Sequence, residues 1–382
     1  MVWRHTSIMG LYTNKRLIMS GRIFVIGASH GGIDALRQLV SQLPASFPAP
    51  IFIVLHIGAT SPGMLPVILG KAGRLPVAQP RDLEFFEPGR IYVAPPDHHM
   101  LVRQGYVRLS QGPRENHCRP AVDPLFRSAA NEYGPAVVGV VLTGHLDDGT
   151  AGLMAIKDRG GLAVVQEPSE ALAPSMPRSA LAHVCVDRCC KLGEMADLIV
   201  NLANDDPDKP EPGDHDELIR IETRIAEGIL DAADWSRFER MSAPSGLNCP
   251  DCSSALFELP DRRMLRFRCR AGHAFSALCL LGEQQRSRED HLAALFGLLN
   301  EEAALARRLL SAPSAQRVDT DAALRERLGG VEREAAQVWQ WLRVREFRFC
   351  AGREERARLI SINTGKPKKA KHCPVLPPPA TR

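Results

Sequence analysis

At 382 residues the chain is long enough for two domains or three small ones, and its 45% hydrophobic and 24% charged residues are ordinary for a globular protein. A net charge of +4 is too small for this length to argue for a nucleic-acid partner, and no apolar run approaches the ~20 residues that span a bilayer. Ten cysteines, unevenly spaced and with no apolar leader ahead of them, point to free thiols and one metal site in the cytoplasm, not a disulfide framework.

Residues 21–203 read as alternating strand and helix. The stretch MVWRHTSIMGLYTNKRLIMSG ahead of them is basic but lacks a continuous apolar core, so it does not read as a secretion signal. RIFVIGA and PIFIVLHI are short runs rich in Ile, Val and Phe, suited to strands buried on both faces. Between them IDALRQLVSQL carries Ile33, Leu36, Leu39, Val40 and Leu43 at helical spacing. RIYVAPP follows as a strand, and HMLVRQGYVRLS as a pair of strands joined by a Gln-Gly turn. DPLFRSAANEYG and GTAGLMAIKDRGG read as helices, AVVGVVLTG and LAVVQE as strands. The alternation predicts a doubly wound, mostly parallel, Rossmann-like α/β sheet with ligands at the carboxyl ends of its strands.

GASHGG at the end of the first strand fits two templates. As G-x-G-x-x-G it has Ser29 in place of the glycine that lets backbone approach a pyrophosphate. As G-x-S-x-G, Gly27, Ser29 and Gly31 all match, and the turn presents a nucleophile. His56 closes the second strand where a ribose-binding fold would place an acid, which disfavours the nucleotide reading. Asp148, in TGHLDDG, lies beyond a third strand. Parallel strands point the same way, so Ser29, His56 and Asp148 are expected on one rim, as nucleophile, base and orienting acid. The plainer alternatives are a structural histidine and an aspartate that caps the following helix. The chain order Ser, His, Asp differs from that of the α/β-hydrolases. Arg119 is either a substrate contact or a helix cap, and His98 and His99 read as loop residues.

GASHGG, VLHI, RPAVDPLFRSAA and LTGHLDDGTAG, in this order, resemble the catalytic domain of the chemotaxis protein-glutamate methylesterase family, CheB. The resemblance runs over about residues 21–203. It implies a serine esterase acting on glutamate γ-methyl esters of chemoreceptor-type proteins, with glutamine deamidation in some members, and no cofactor for catalysis. It assigns Ser29, His56 and Asp148 as the triad. His30 and His145 depart from the family pattern, which has threonine and methionine there. A receiver domain usually precedes the esterase; about twenty residues precede it here, too few for a domain, so another form of control is expected. A non-catalytic adaptor keeping the fold remains the rival.

Beyond the esterase region, NDDPDKPEPGDHDE predicts a linker over 204–215 that separates two independent regions. A helix is expected over 216–241. Residues 244–275 are turn-rich, with Cys249-Pro-Asp-Cys252 and Cys269-Arg-Ala-Gly-His273. Two ligand pairs at this spacing suit a closed tetrahedral zinc site in a ribbon-like module; a redox CxxC would need a βαβ context. Two amphipathic helices are expected over 280–348, with Leu292, Leu295, Leu299, Leu309, Leu324, Leu328, Val331 and Trp341 at apolar positions, offering a signalling partner a surface. The basic, proline-rich end over 349–382 reads as disordered.

Overall fold

Seven short strands, most of them apolar runs, pair into one sheet: β1 (Ile23–Ala28), β2 (Ile51–Leu55), β3 (Val77–Ala78), β5 (Ile91–Val93), β8 (Val137–Val141), β9 (Leu162–Gln166) and β10 (Arg188–Cys190). Their order is β10-β9-β8-β1-β2-β5-β3, and every neighbouring pair is parallel. The computed structural model describes residues 21–207, 217–229, 231–261, 263–311 and 321–342, and two compact units divide after Leu280.

Helices cover both faces of the sheet, because successive strand residues point to opposite sides. Phe24, Ile26 and Ile53 face Leu36 and Leu39 of α1 (Gly32–Gln42), Leu69 of α2 (Leu65–Ala72), and Met195 and Ile199 of α6 (Leu192–Asn204). Ile23, Val25 and Phe52 face Leu125 and Phe126 of α3 (Val122–Tyr133), Leu153 of α4 (Thr150–Asp158) and Met176 of α5 (Ser175–His183). The antiparallel strands β4 (Glu84–Phe85), β6 (His99–Arg103) and β7 (Tyr106–Ser110) form a small second sheet. His99 thus begins a strand instead of lying in a loop; it is buried, its ring 2.9 Å from the carbonyl of Pro113.

The stretch read as one helix over 216–241 is two, α7 (Glu217–Ala226) and α8 (Ala232–Met241). Gly228, at φ +74°, turns the chain out of the first, and Asp231 accepts the Asp234 N–H at 2.7 Å to start the second. The linker expected from Asn204 begins inside the last turn of α6, and residues 208–216 lie outside the described residues, as do 1–20 and the tail 349–382.

A four-stranded antiparallel sheet follows, with β11 (Ala243–Asn248), β12 (Ala255–Glu258), β13 (Arg266–Cys269) and β14 (Ala274–Ser276) in sequence order. It is not independent of the seven-stranded sheet and its helices. Ile219 of α7 and Met264 belong to the same apolar core as β1 and α3. Buried charges join the two parts further. Arg127 of α3 donates to Glu115 Oε1 at 2.6 Å, and Arg268 of β13 donates to Glu115 at 3.0 Å and to Glu222 of α7 at 2.7 Å. Burial alone would raise the pKa of both glutamates, but the surrounding guanidiniums hold both below the usual carboxylate range.

The second unit, described by itself, contains most of α9 (Ala277–Ser311) and a helix over 321–342. Leu299 and Ala303 pack on Val331, Ala335 and Val338, with Leu292 and Leu328 at the edges. Leu295, Leu309 and Trp341, also at apolar positions of the expected helices, are exposed. No helix among the described residues is long and apolar enough to cross a membrane.

Candidate active site

The turn after β1 is shaped by close packing within the chain. A Cβ on Gly27 would lie 2.3 Å from Val122 Cγ1, so α3 passes directly over the strand end. Gly31 is left-handed at φ +79°, and a Cβ there would meet Leu172 at 2.8 Å. A Cβ on Gly32 would meet Leu55 Cδ1 at 2.6 Å. All three glycines are places where other segments of the chain pack closely against the turn that carries Ser29.

Ser29 and His56 follow Ala28 and Leu55, which are register partners in β1 and β2. The His56 N–H donates to the Ala28 carbonyl at 3.1 Å, and the Ser29 N–H to the Thr143 carbonyl at 2.9 Å. Ser29 therefore sits between the β2 and β8 ends, against Gly144, where a Cβ would approach its own Cβ to 2.8 Å. Asp148 reaches the same rim: its Oδ2 is 2.6 Å from His56 Nε2. The structure thus joins His56 to Asp148 directly and sets Ser29 at the adjoining strand end.

Asp148 does cap a helix, though not the one that follows it. Its Oδ2 accepts the Val122 N–H at 2.7 Å and its Oδ1 the Asp123 N–H at 3.3 Å, the first two amides of α3. Asp123 returns the favour to α4, accepting the N–H groups of Gly149 at 3.0 Å and Gly152 at 2.6 Å. Two helices are capped by carboxylates from each other's starts. The neighbouring Asp147 turns the other way and accepts the Ser276 hydroxyl at 2.6 Å.

The electrostatics follow from burial and these bonds. Burial alone would lower the pKa of His56, but the Cys118 sulfur beside the ring and the Asp148 carboxylate favour the charged form and push it up to about 10. Burial would raise Asp148, yet the His56 pairing and the α3 amides hold it down to about 2. Burial, helped by the Asp148 charge, drives Asp123 well above the usual range. It also takes Asp147 up to about 6, against the opposing Ser276 hydrogen bond. Asp123 and Cys118 were not singled out from sequence. Both stand in HCRPAVDPLF, where an acid before proline at a helix start was the available signal.

Arg119 is committed to structure: it donates to Asp97 Oδ1 at 2.7 and 3.0 Å and to the carbonyls of Gln111 and Gly112. His30 and His145 are exposed and stack on each other, ring centroids 5.0 Å apart, flanking the serine turn. Away from this rim, the ligand atoms of Cys249, Cys252, Cys269 and His273 all lie within 4.8 Å of one another.

A parallel sheet whose strand ends carry a serine and a part-buried histidine–carboxylate pair is a scaffold that suits acyl-transfer hydrolysis. The model of the CheB methylesterase family matches residues 24–199. A putative protein-glutamate methylesterase/protein-glutamine glutaminase of Leptospira interrogans (strain Fiocruz L1-130) is 41% identical over 185 residues, covering 48% of this chain and 96% of that protein. A protein-glutamate methylesterase/protein-glutamine glutaminase of Trichodesmium erythraeum is 38% identical over 199 residues, 51% of this chain and 56% of its own length. The crystal structure of the Thermotoga maritima CheB methylesterase catalytic domain superposes with a TM-score of 0.46 at 32% identity, over 48% of this chain and 99% of that one. The chain belongs to the CheB methylesterase family.

Proposed function

We propose that the chain is a protein-glutamate methylesterase, hydrolysing glutamate γ-methyl esters on methylated chemoreceptor-type proteins in chemotaxis or related signalling. The observation that carries this reading is the 2.6 Å His56–Asp148 pair at the strand end beside Ser29. Asp148 engages Nε2, which leaves Nδ1 as the nitrogen that takes the Ser29 proton. Ser29 Oγ bonds to the γ-carbonyl carbon, and the carbonyl π electrons move to oxygen. The first turn of α1, which begins three residues after the serine, places its positive end there to steady that charge. Collapse breaks the carbon–methoxy bond, His56 returns its proton to the methoxy oxygen, and methanol leaves. Water then attacks the acyl-enzyme with His56 again as base, releasing glutamate and Ser29. On a glutamine side chain the same steps release ammonia. None of them calls for a bound cofactor, and the free thiols suit a reducing cytoplasm.

The experiment that tests the reading is labelling with a fluorophosphonate probe followed by peptide mass spectrometry. Ser29 is expected to carry the adduct in wild type and Ser29→Ala to carry none; an adduct elsewhere with Ser29 unmodified removes Ser29 as nucleophile.

The pH dependence follows from the same pair. A histidine at its reference pKa would give kcat/KM a rising limb near about 6.5. Because the folded His56 pKa is raised, the ring stays protonated and unable to accept a proton through neutrality. The limb is expected above pH 6.5, and Cys118→Ala should move it down towards 6.5 by removing the sulfur. A limb at 6.5 in both proteins would separate His56 from Cys118 and count against this electrostatic account.

Cys249, Cys252, Cys269 and His273 are read as a structural zinc site in a ribbon-like module. Zn–S and Zn–N bonds of about 2.3 and 2.0 Å in a tetrahedron require S···S and S···N edges of roughly 3.8 and 3.5 Å. The cluster has Cys252–Cys269 at 3.6 Å, Cys269–His273 Nδ1 at 3.6 Å and Cys249–His273 Nδ1 at 3.7 Å. Four protein ligands close the site, so the ion would hold the two turns together and take no part in the chemistry. The exposed Leu295, Leu298, Leu305 and Trp341 give the second unit an apolar surface for a signalling partner.

A further inference from the structure

The loop over residues 114–118 connects the two parts of the first unit, and it is held from both sides. Asn116 and His117 are left-handed, at φ +50° and +60°, conformations that non-glycine residues keep only where their surroundings impose them. The restraint comes from β14. Asn116 donates its N–H to the Ala274 carbonyl at 2.8 Å, and Ala274 donates to the Arg114 carbonyl at 3.2 Å. Glu115 is locked between Arg127 and Arg268. His117 lies 2.8 Å from Asp251, between Cys249 and Cys252, and its ring meets Phe275 edge-on. The loop thus behaves as an added strand at the edge of the module sheet.

What the loop presents on its other side is the active-site carboxylate. Asn116 Nδ2 donates to Asp148 Oδ1 at 3.3 Å, while its own Oδ1 accepts the Ser276 N–H at 2.9 Å. Ser276 in turn holds Asp147 with its hydroxyl and accepts the Cys279 N–H at 3.0 Å. Both carboxylates of the TGHLDDG loop are therefore tied to β14, one directly and one through Asn116. Leu146, beside them, is also left-handed, at φ +60°. Cys269 and His273 flank the turn that leads into β14, so whatever orders the Cys/His cluster orders the strand that reaches Asp147.

From this we infer that the Cys/His module is a working part of the active site: β14, through Asn116 and Ser276, positions Asp148 and Asp147. The inference rests on the esterase reading for its functional consequence, but the coupling itself is structural. Asn116 and Ser276 are positioning residues, since neither is asked to touch substrate. Occupancy of the Cys/His cluster would then set esterase activity from outside the triad.

The test is hydrogen exchange by mass spectrometry on the full chain, run with ester kinetics on a small soluble substrate. The module is disturbed in two ways, by Cys269→Ser and by chelation of wild type after its zinc content has been measured. Either disturbance is expected to speed exchange at 114–118 and 146–149 as well as at 266–276. kcat should fall about tenfold or more, because small displacements of an orienting group cost orders of magnitude. Asn116→Ala, which leaves the cluster intact, should lower kcat to a similar extent with KM within about twofold. Combined with Cys269→Ser it should add little, as expected for steps of one chain of contacts. Faster exchange at 266–276 with none at 114–118, or additive losses in the double variant, would overturn the inference. An inactive wild type with coupled exchange would instead overturn the esterase reading and leave the coupling standing. If Cys269→Ser fails to fold, Asn116→Ala and Ser276→Ala decide alone: unchanged kcat in both overturns the proposal.

Discussion

Asp148→Asn is expected to reduce kcat for ester hydrolysis by about 10⁴-fold, as loss of a triad carboxylate does elsewhere. The reason lies in the donors around it. Val122 N–H and His56 face one oxygen, and Asp123 N–H and Asn116 Nδ2 face the other. A carboxamide must point its NH₂ at one of these donor pairs. Aimed at His56, it leaves Nε2 as acceptor and puts the ring proton on Nδ1, the nitrogen needed as base; in either pose the negative charge that steadies the imidazolium is gone. Asp147→Asn is the control. Its carboxamide oxygen can still accept the Ser276 hydroxyl, and the loss should stay within about tenfold. Steady-state kinetics on both variants check the contrast, and equal losses would reassign the orienting acid.

Arg268→Met is expected to destabilise the first unit by about 3–5 kcal/mol, the cost of removing one partner from a buried ion cluster. Arg268 is completely buried and serves Glu115, Glu222 and the Gly272 carbonyl at 2.7 Å. Methionine fills much of the volume but leaves two carboxylates short of a cation. Urea unfolding of wild type and variant reads the difference directly. The cluster also predicts the acid response. Both glutamates have folded pKa values depressed below about 4.3, so their contribution is present above that pH and lost as pH falls through the depressed values. Glu222→Gln should flatten this acid loss, and an unchanged profile would show that the cluster contributes nothing to it.

The parallel sheet was legible because fully buried strands such as IFVIGA and IFIVL are continuous apolar runs bounded by turns, and because parallel strands put their ends on one rim. That logic led to Ser29 and His56 at adjoining strand ends and to Asp148, which meets His56. It did not reach Asn116, Cys118 or Asp123. These act across segments distant in sequence, and no local periodicity marks a side chain that bonds a residue 25 or 32 positions away. The same limit explains the expectation of separate modules. Composition reads an acidic, proline-rich stretch as a spacer, but it is blind to Arg127 and Arg268, whose shared partner Glu115 becomes visible only in three dimensions. Along the C-terminal helices the heptad-like leucines were found, yet the seam itself uses Ala303 and Ala335, residues too small to stand out in a hydrophobic count.

The ion cluster has a practical consequence for anyone cutting this gene. The family-model match ends at residue 199, while the first compact unit runs on to Leu280. An expression clone ended at the similarity boundary would strip Arg127 and Glu115 of their cover. It would also uncover the apolar patch that Ile219 and Met264 shield, and release a loop with two left-handed residues. Such a fragment should be poorly soluble and prone to proteolysis. The shortest clone worth making therefore ends after β14, well past residue 199, where the family-model match ends.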